Sequence, residues 1–529
     1  MQKRLTLVAA AILLALIGLL PVLMMVANSF FVDGVFSLKA YRALLASGRQ
    51  QWVLMGHSLL LSSGVAFFAT MVGVPLGVLL AKTDLPFRRT LTVLLTVPLL
   101  IPPYVTAVAW FATIGAGGWV DRSLPPAISE HLSSAFFGLY GCIAVLFTAF
   151  VPVVVLLTIA YLGAVNPRLE AAGRLVSSWP RVLRRITLPL IAPAILFAAV
   201  LVFLLTLGEV GVPTYLRYPV YPVETLTQFA AFYDFSAATV AAIPLLAVTL
   251  AILAVEFYLF HKQVSELAAV TFAATPAQIR LGSFSLPFLA VVLVWALITV
   301  VMPLAALASQ APSLTDYVEA FSRASDSILR SLVFSVIGAS LLTVLGFFWG
   351  TIVHDRTLPF WRSIDALTLF LFTLPGAVIG IGLISLWNTP MTNLVYRTPA
   401  IIILGYLAQY AVLPTRMTSA ILERIPPSLE RAAQLCGANW FMTLRHIVVP
   451  LAGRGLIAVW IVSYVFCLRD LGISMVVYPP GSDTLPVRIL TLMANGAPSL
   501  IAALCVILVA ATLLPLGAAT LWLGRGSRP

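Results

Sequence analysis

The chain has 529 residues, 61% of them apolar and 9% charged, with a mean hydropathy of +1.05 and a formal net charge of +12. Soluble domains carry roughly a quarter of charged residues, so this composition excludes soluble enzymes, nucleic-acid binders, disordered chains and secreted disulfide scaffolds. The positive charge is read as membrane topology, because Lys and Arg beside a span hold it on the cytoplasmic side, and no nucleic-acid partner is expected.

Twelve apolar runs reach the roughly 20 residues needed to cross a hydrocarbon core about 30 Å thick. In chain order they cover 5–27, 58–81, 89–115, 136–163, 190–212 and 236–260, then 283–309, 329–353, 363–387, 399–422, 449–468 and 498–523. Lipid offers an exposed backbone no hydrogen bonds, so each run predicts a helix and the fold class is an all-α polytopic membrane protein. The first run follows Met1-Gln2-Lys3-Arg4. It exceeds the roughly 7 to 15 apolar residues of a signal peptide and is read as an uncleaved anchor. Pro98, Pro102-Pro103 and Pro375 with Gly376 predict kinks inside spans.

With the N-terminus in the cytoplasm, 21 of the 31 Lys and Arg fall on the inner side. Both termini are therefore expected inside, and the richest clusters, 168–185 and 416–454, share that side.

Those clusters expose an internal repeat. An offset of 261 residues lays Glu170-Ala171-Ala172 on Arg431-Ala432-Ala433, Ile186 on Ile447, Pro189 on Pro450, Glu209 on Asp470 and Gly211 on Gly472. Upstream, Gly73 and Gly77 fall on Gly346 and Gly350 at an offset of 273. The expected organisation is a first repeat at 1–262, a cytoplasmic linker at 263–282 and a second repeat at 283–529. Six spans per copy is an even number, so the copies run parallel, and a pathway between them at a pseudo-twofold axis is the natural consequence.

Between the fourth and fifth spans, Pro167 suits the first turn of a helix and Glu170 the positive end of its dipole. Ala171 and Ala172 are small enough for another surface to approach. Ser177-Ser178-Trp179-Pro180 interrupts the helix, and the basic stretch beyond it returns to the membrane at Leu188-Pro189. The second copy runs from Pro426-Pro427 through Glu430, Arg431, Ala432 and Ala433 to Gly437, then Ile447 and Pro450. A positively charged interfacial loop is the plainer reading of one such segment. Two that match in both the small-residue pair and the exit proline point to a docking surface.

These residues resemble the permeases of type I ABC importers, whose signature is E-A-A, three residues, G, nine residues, I, one residue, L-P. The first copy holds Glu170, Ala171, Ala172, Ile186, Leu188 and Pro189 in register, with Val176 in place of Gly. The second holds Ala432, Ala433, Gly437, Ile447 and Pro450, with Arg431 in place of Glu beside Glu430. The resemblance implies that each segment is a coupling helix docked in a cleft of a separate ATPase subunit, two copies per transporter, and that a periplasmic or extracellular binding protein delivers the solute. It implies a bacterial inner-membrane location, and that the chain is no enzyme and binds no cofactor, ATP and magnesium sitting on the partner. By the same analogy Val176 strains or reshapes the bend, and the two docking sites are unequal.

The residues agree that the motor is elsewhere. A phosphate-binding loop needs Lys after Gly, and the four lysines follow Gln2, Leu38, Ala81 and His261. Cys142, Cys436, Cys467 and Cys505 form no C-x-x-C pair, so neither a disulfide nor a metal site is expected. Glu209 and Asp470, with Gly211 and Gly472, are candidates for the substrate path. An ionisable group at membrane depth usually faces a cavity or a partner, and an acidic pair attracts a cation. The competing reading sets both at the water interface, with Arg469 neutralising Asp470. The fused form resembles the ferric-iron, thiamine and phosphonate importers, and among these the ferric-iron group. A secondary transporter is the competing class, but it places its longest cytoplasmic loop between the halves.

Overall fold

Every apolar run of the sequence is helical in the computed structural model, which describes residues 2–32, 35–46, 49–230, 235–268 and 278–525. Of the expected linker, residues 269–277 lie outside the described residues. Among the described residues nine runs are single helices: Gln2–Asn28, Gln50–Lys82, Leu139–Gly163, Trp179–Leu207, Ala237–Tyr258, Gly282–Ser309, Leu314–Asp355, Trp440–Leu468 and Pro498–Ala519. Three are bent pairs: Arg88–Leu100 with Pro103–Ser123 at 100°, Trp361–Thr373 with Gly376–Trp387 at 107°, and Ala400–Tyr410 with Val412–Leu422 at 51°. The two sharpest bends fall at Pro102 and Pro375, where proline cannot extend the preceding helical ladder. Among the described residues the only strands are Phe31–Val32 and Val35–Phe36, an antiparallel pair.

Two compact units form, and their bounds are not those of the sequence repeats. One comprises Arg49–Val223 with Ala247–Leu314. Its core joins Leu61, Val65, Val145, Val154 and Val202 to Val292 and Ala296 of the helix Gly282–Ser309. The Trp119 indole donates to Ser309 Oγ at 2.9 Å, which fixes the C-terminal end of that helix.

The other unit comprises Met1–Gly48, Glu224–Leu246 and Thr315–Pro529. Its N-terminal helix is pinned at two points: Trp349 Nε1 donates to the Ala10 carbonyl at 2.8 Å, and Asn28 Nδ2 to the Ser385 carbonyl at 3.2 Å. Each unit is thus completed by a first helix drawn from the other sequence repeat.

Glycines set close helix contacts in both units. A Cβ on Gly73 would meet Val154 at 2.7 Å, and one on Gly77 would meet Thr158 at 2.7 Å. In the other unit Gly346 lies against Pro414, and a Cβ on Gly350 would meet Thr418 at 2.7 Å. Small residues let membrane helices approach closely, which replaces the hydrophobic drive that lipid does not supply.

Candidate coupling segments and substrate path

The first candidate coupling segment is the helix Pro167–Val176. The Asn166 side chain caps it by accepting from Arg168 N at 3.0 Å, and Pro167 fills its first position. Glu170, expected on a docking face, points inward instead, with no exposed surface. Its Oε2 lies 2.8 Å from Lys82 Nζ, itself 1% exposed, and its Oε1 accepts from Thr187 Oγ1 at 2.9 Å. A charge pair shut off from water holds only when the remaining polar atoms are also satisfied, and Thr187 supplies that bond. Gly173 is buried against Ile186. Ala171, Ala172, Leu175 and Val176 face out, with Leu175 87% exposed.

Val176 is the last residue of a regular helix, and the chain turns at an extended Ser177. No left-handed residue is needed there, so Val176 is accommodated without backbone strain. The second copy turns differently, through Gly437 at φ +82°.

That turn also resets the alignment. The second segment is the helix Pro427–Leu435, so its first residue matches Pro167 at an offset of 260, while Trp440 matches Trp179 at 261. The extra residue is absorbed at the Gly437 turn. Glu430, not Arg431, therefore stands at the step of Glu170, three residues after the first helical proline. Arg431 and Ala432 are exposed and Ala433 is half-buried. Glu430 lines a cavity of about 20 Å³ with Lys3, His354, Asp355, Trp440 and Thr443. Beside it Lys3 Nζ pairs with Asp355 Oδ2 at 2.8 Å.

The basic stretches belong to the spans themselves. Helices begin at Trp179 and Trp440 and pass through a wide turn at Leu183–Thr187 and Leu444–Val448. There Leu188 N–H reaches back to the Leu183 carbonyl, and Val449 N–H to that of Leu444. Pro189 and Pro450 follow directly. Proline has no N–H and its ring crowds the carbonyl four residues back; a turn closed five residues back moves that carbonyl away from the ring. Ala15–Leu19 before Pro21 and Leu297–Val301 before Pro303 repeat the device. Ile186 and Ile447 are half-buried on these turns.

On the substrate-path candidates, each carboxylate fixes the break after its span. Glu209 Oε1 accepts from Gly211 N at 3.0 Å and Val212 N at 3.4 Å. Asp470, 4% exposed, accepts from Ser474 N at 2.9 Å and Ser474 Oγ at 2.8 Å on Oδ2, and from Tyr410 OH at 2.8 Å on Oδ1. Gly472 lies against Gly376, at the corner of the 107° bend.

Sequence reasoning missed Lys82, Thr187, Lys3, Asp355 and the exposed leucines Leu175 and Leu435. Lys82 carried one available signal, a lone lysine ending an apolar run, but its partner lies 88 residues away.

One protein family, described as "Binding-protein-dependent transport system inner membrane component", matches residues 73–265 and again 343–526. The chain is 23% identical to the Fe(3+)-transport system permease protein of Haemophilus influenzae, covering 82% of this chain and 83% of that one. It is 22% identical to the ferric transport system permease protein of Actinobacillus pleuropneumoniae, covering 86% and 69%. The sulfate transport system permease protein of Escherichia coli is 31% identical over 30% of this chain and 54% of its own. The chain belongs to the binding-protein-dependent transport system inner membrane component family, and is a multi-pass transport permease with two copies of the family's domain.

Proposed function

We propose that this family member is the permease of an ATP-driven importer that carries ferric iron inward by alternating access. Both termini lie in the cytoplasm, and two copies of an ATPase subunit dock on Pro167–Val176 and Pro427–Leu435 and supply all the ATP chemistry. A binding protein delivers iron from outside, and the turn at Glu209 and Gly211 in one unit and that at Asp470 and Gly472 in the other are each assigned to the outer path. One observation carries the docking reading: each short helix ends in a bare apolar side chain, Leu175 at 87% and Leu435 at 91% exposure. Apolar anchors at such tips are what a partner cleft buries to gain affinity.

The full chain, reconstituted in vesicles with the ATPase and binding protein of its own cell, tests the reading. ATP-dependent uptake of labelled ferric iron is expected. Uptake of thiamine or an aminophosphonate instead moves the cargo and keeps the permease role, whereas uptake driven by an ion gradient without the ATPase overturns the role itself.

A further inference from the structure

Lys82 joins three elements at once. Its side chain holds Glu170 of the helix Pro167–Val176, and Glu170 in turn accepts from Thr187 at the foot of the following span. Its backbone carbonyl accepts from Ile279 N at 2.7 Å. Next to it, Asp84 N donates to the Ile279 carbonyl at 3.2 Å and Asp84 Oδ1 accepts from Leu281 N at 2.9 Å. Leu281 leads directly into the span Gly282–Ser309. The last residue of one span therefore clamps a short cytoplasmic helix by its side chain and the start of a distant span by its backbone.

We infer that Lys82 is a positioning residue that makes the helix Pro167–Val176, the span Gln50–Lys82 and the span Gly282–Ser309 move as one body, with Glu170 an internal strut and not a contact to the ATPase. The inference rests on the reading of Pro167–Val176 as a docking helix, and its mechanics stand on the geometry alone. Separating Lys82 from Glu170 strands a charge away from water. The joint therefore survives any motion that stops short of unfolding it, and a push on the short helix reaches both spans without slack.

The corresponding joint of the other unit has a different build. Asp355 stands five residues past Gly350 as Lys82 stands five past Gly77, and it holds Lys3 at 2.8 Å, at the start of that unit's N-terminal helix. That pair is part-exposed, at 31% and 21%, and Glu430 lies on a small cavity beside it. The first docking helix is thus braced by a buried pair, and the second lies beside a part-exposed one.

Hydrogen exchange of the full chain in nanodiscs tests the joint without the cargo. Lys82→Met is expected to speed exchange at least about tenfold in both 167–176 and 278–284, a loss of roughly one decade in the local opening equilibrium. Lys82→Arg keeps the charge and most of the protection. The exchanged pair Lys82→Glu with Glu170→Lys restores protection, and Lys3→Met leaves both segments unchanged. If Lys82→Met does not insert, the exchanged pair decides, because protection like that of the unsubstituted chain supports the strut and its loss overturns it. Loosening confined to 167–176, or to neither segment, also overturns the inference. Stimulation of the ATPase measured on the same variants should fall at least about fivefold for Lys82→Met, the low end of coupling between sites. A parent chain that stimulates no ATPase would sink the importer reading and leave the exchange result standing.

Discussion

The backbones of Gly376 and Gly472 touch: a Cβ on Gly376 would sit 2.9 Å from the Gly472 carbonyl carbon, while one on Gly472 would sit 3.3 Å from the Gly376 Cα. This contact closes the corner of the 107° bend against the turn that follows Leu468. Gly376→Ala forces backbone to move and should cost about 1 to 3 kcal/mol, as overpacking does. Gly472→Ala needs a shift of only tenths of an ångström and should cost less. Thermal unfolding of the two purified variants gives the ranking, and the reverse order would show that the corner yields.

Glu170→Ala and Arg431→Ala, equivalent by the sequence offset, should differ sharply. The first leaves the buried Lys82 ammonium unpaired and should cost about 3 to 5 kcal/mol. Arg431 is exposed, and its loss should stay within about 0.5 kcal/mol. Unfolding midpoints and ATPase stimulation together check this, and equal effects would contradict the inward placement of Glu170.

Lys3→Ala breaks a part-exposed pair and should cost no more than about 1 kcal/mol. Its effect should also shrink in high salt, because mobile ions screen exposed charges. A cost that persists in molar salt would show the pair is drier than the structure has it.

Leu175→Asp and Leu435→Asp should leave stability unchanged, since neither side chain is packed against its own unit. Binding of the ATPase subunit should weaken by about 2 kcal/mol or more, the scale of an interface hot spot. Titration of the subunit onto nanodisc-held permease measures this, and unchanged affinity for both would remove these tips from the interface.

Tyr410→Phe removes the hydroxyl that donates to Asp470 Oδ1. A bond to a charged acceptor contributes about 1.5 to 3 kcal/mol, so the variant should unfold correspondingly earlier. The same substitution at Tyr406, whose hydroxyl meets the neutral Ser474 Oγ at 3.2 Å, should cost less.

Much of the candidate site was legible as position and little as orientation. The offset of 261 placed the exit prolines, and the structure sets the same wide turn before each. It misassigned the acidic residue of the second copy, because one residue taken up at Gly437 changes the register only upstream of that turn. Glu170 is placed in the coupling segment by the repeat and near a helix start by Pro167, yet a partner 88 residues away turns it inward. The bends at Pro102 and Pro375 were visible as prolines, but an apolar run has the same length whether it crosses the membrane or doubles back through about a right angle.

The sequence by itself determined the apolar runs and their duplication, because bilayer thickness and the need to satisfy every backbone bond act on each segment locally. Which first helix completes which unit was decided by tertiary structure alone. A helix apolar all around reads the same against any neighbour, and only matched contacts such as Trp349 to Ala10 and Trp119 to Ser309 distinguish one bundle from the other. The buried joint at Lys82 belongs to the same category: its energy comes from excluding water, and that exists only once distant elements have closed around it.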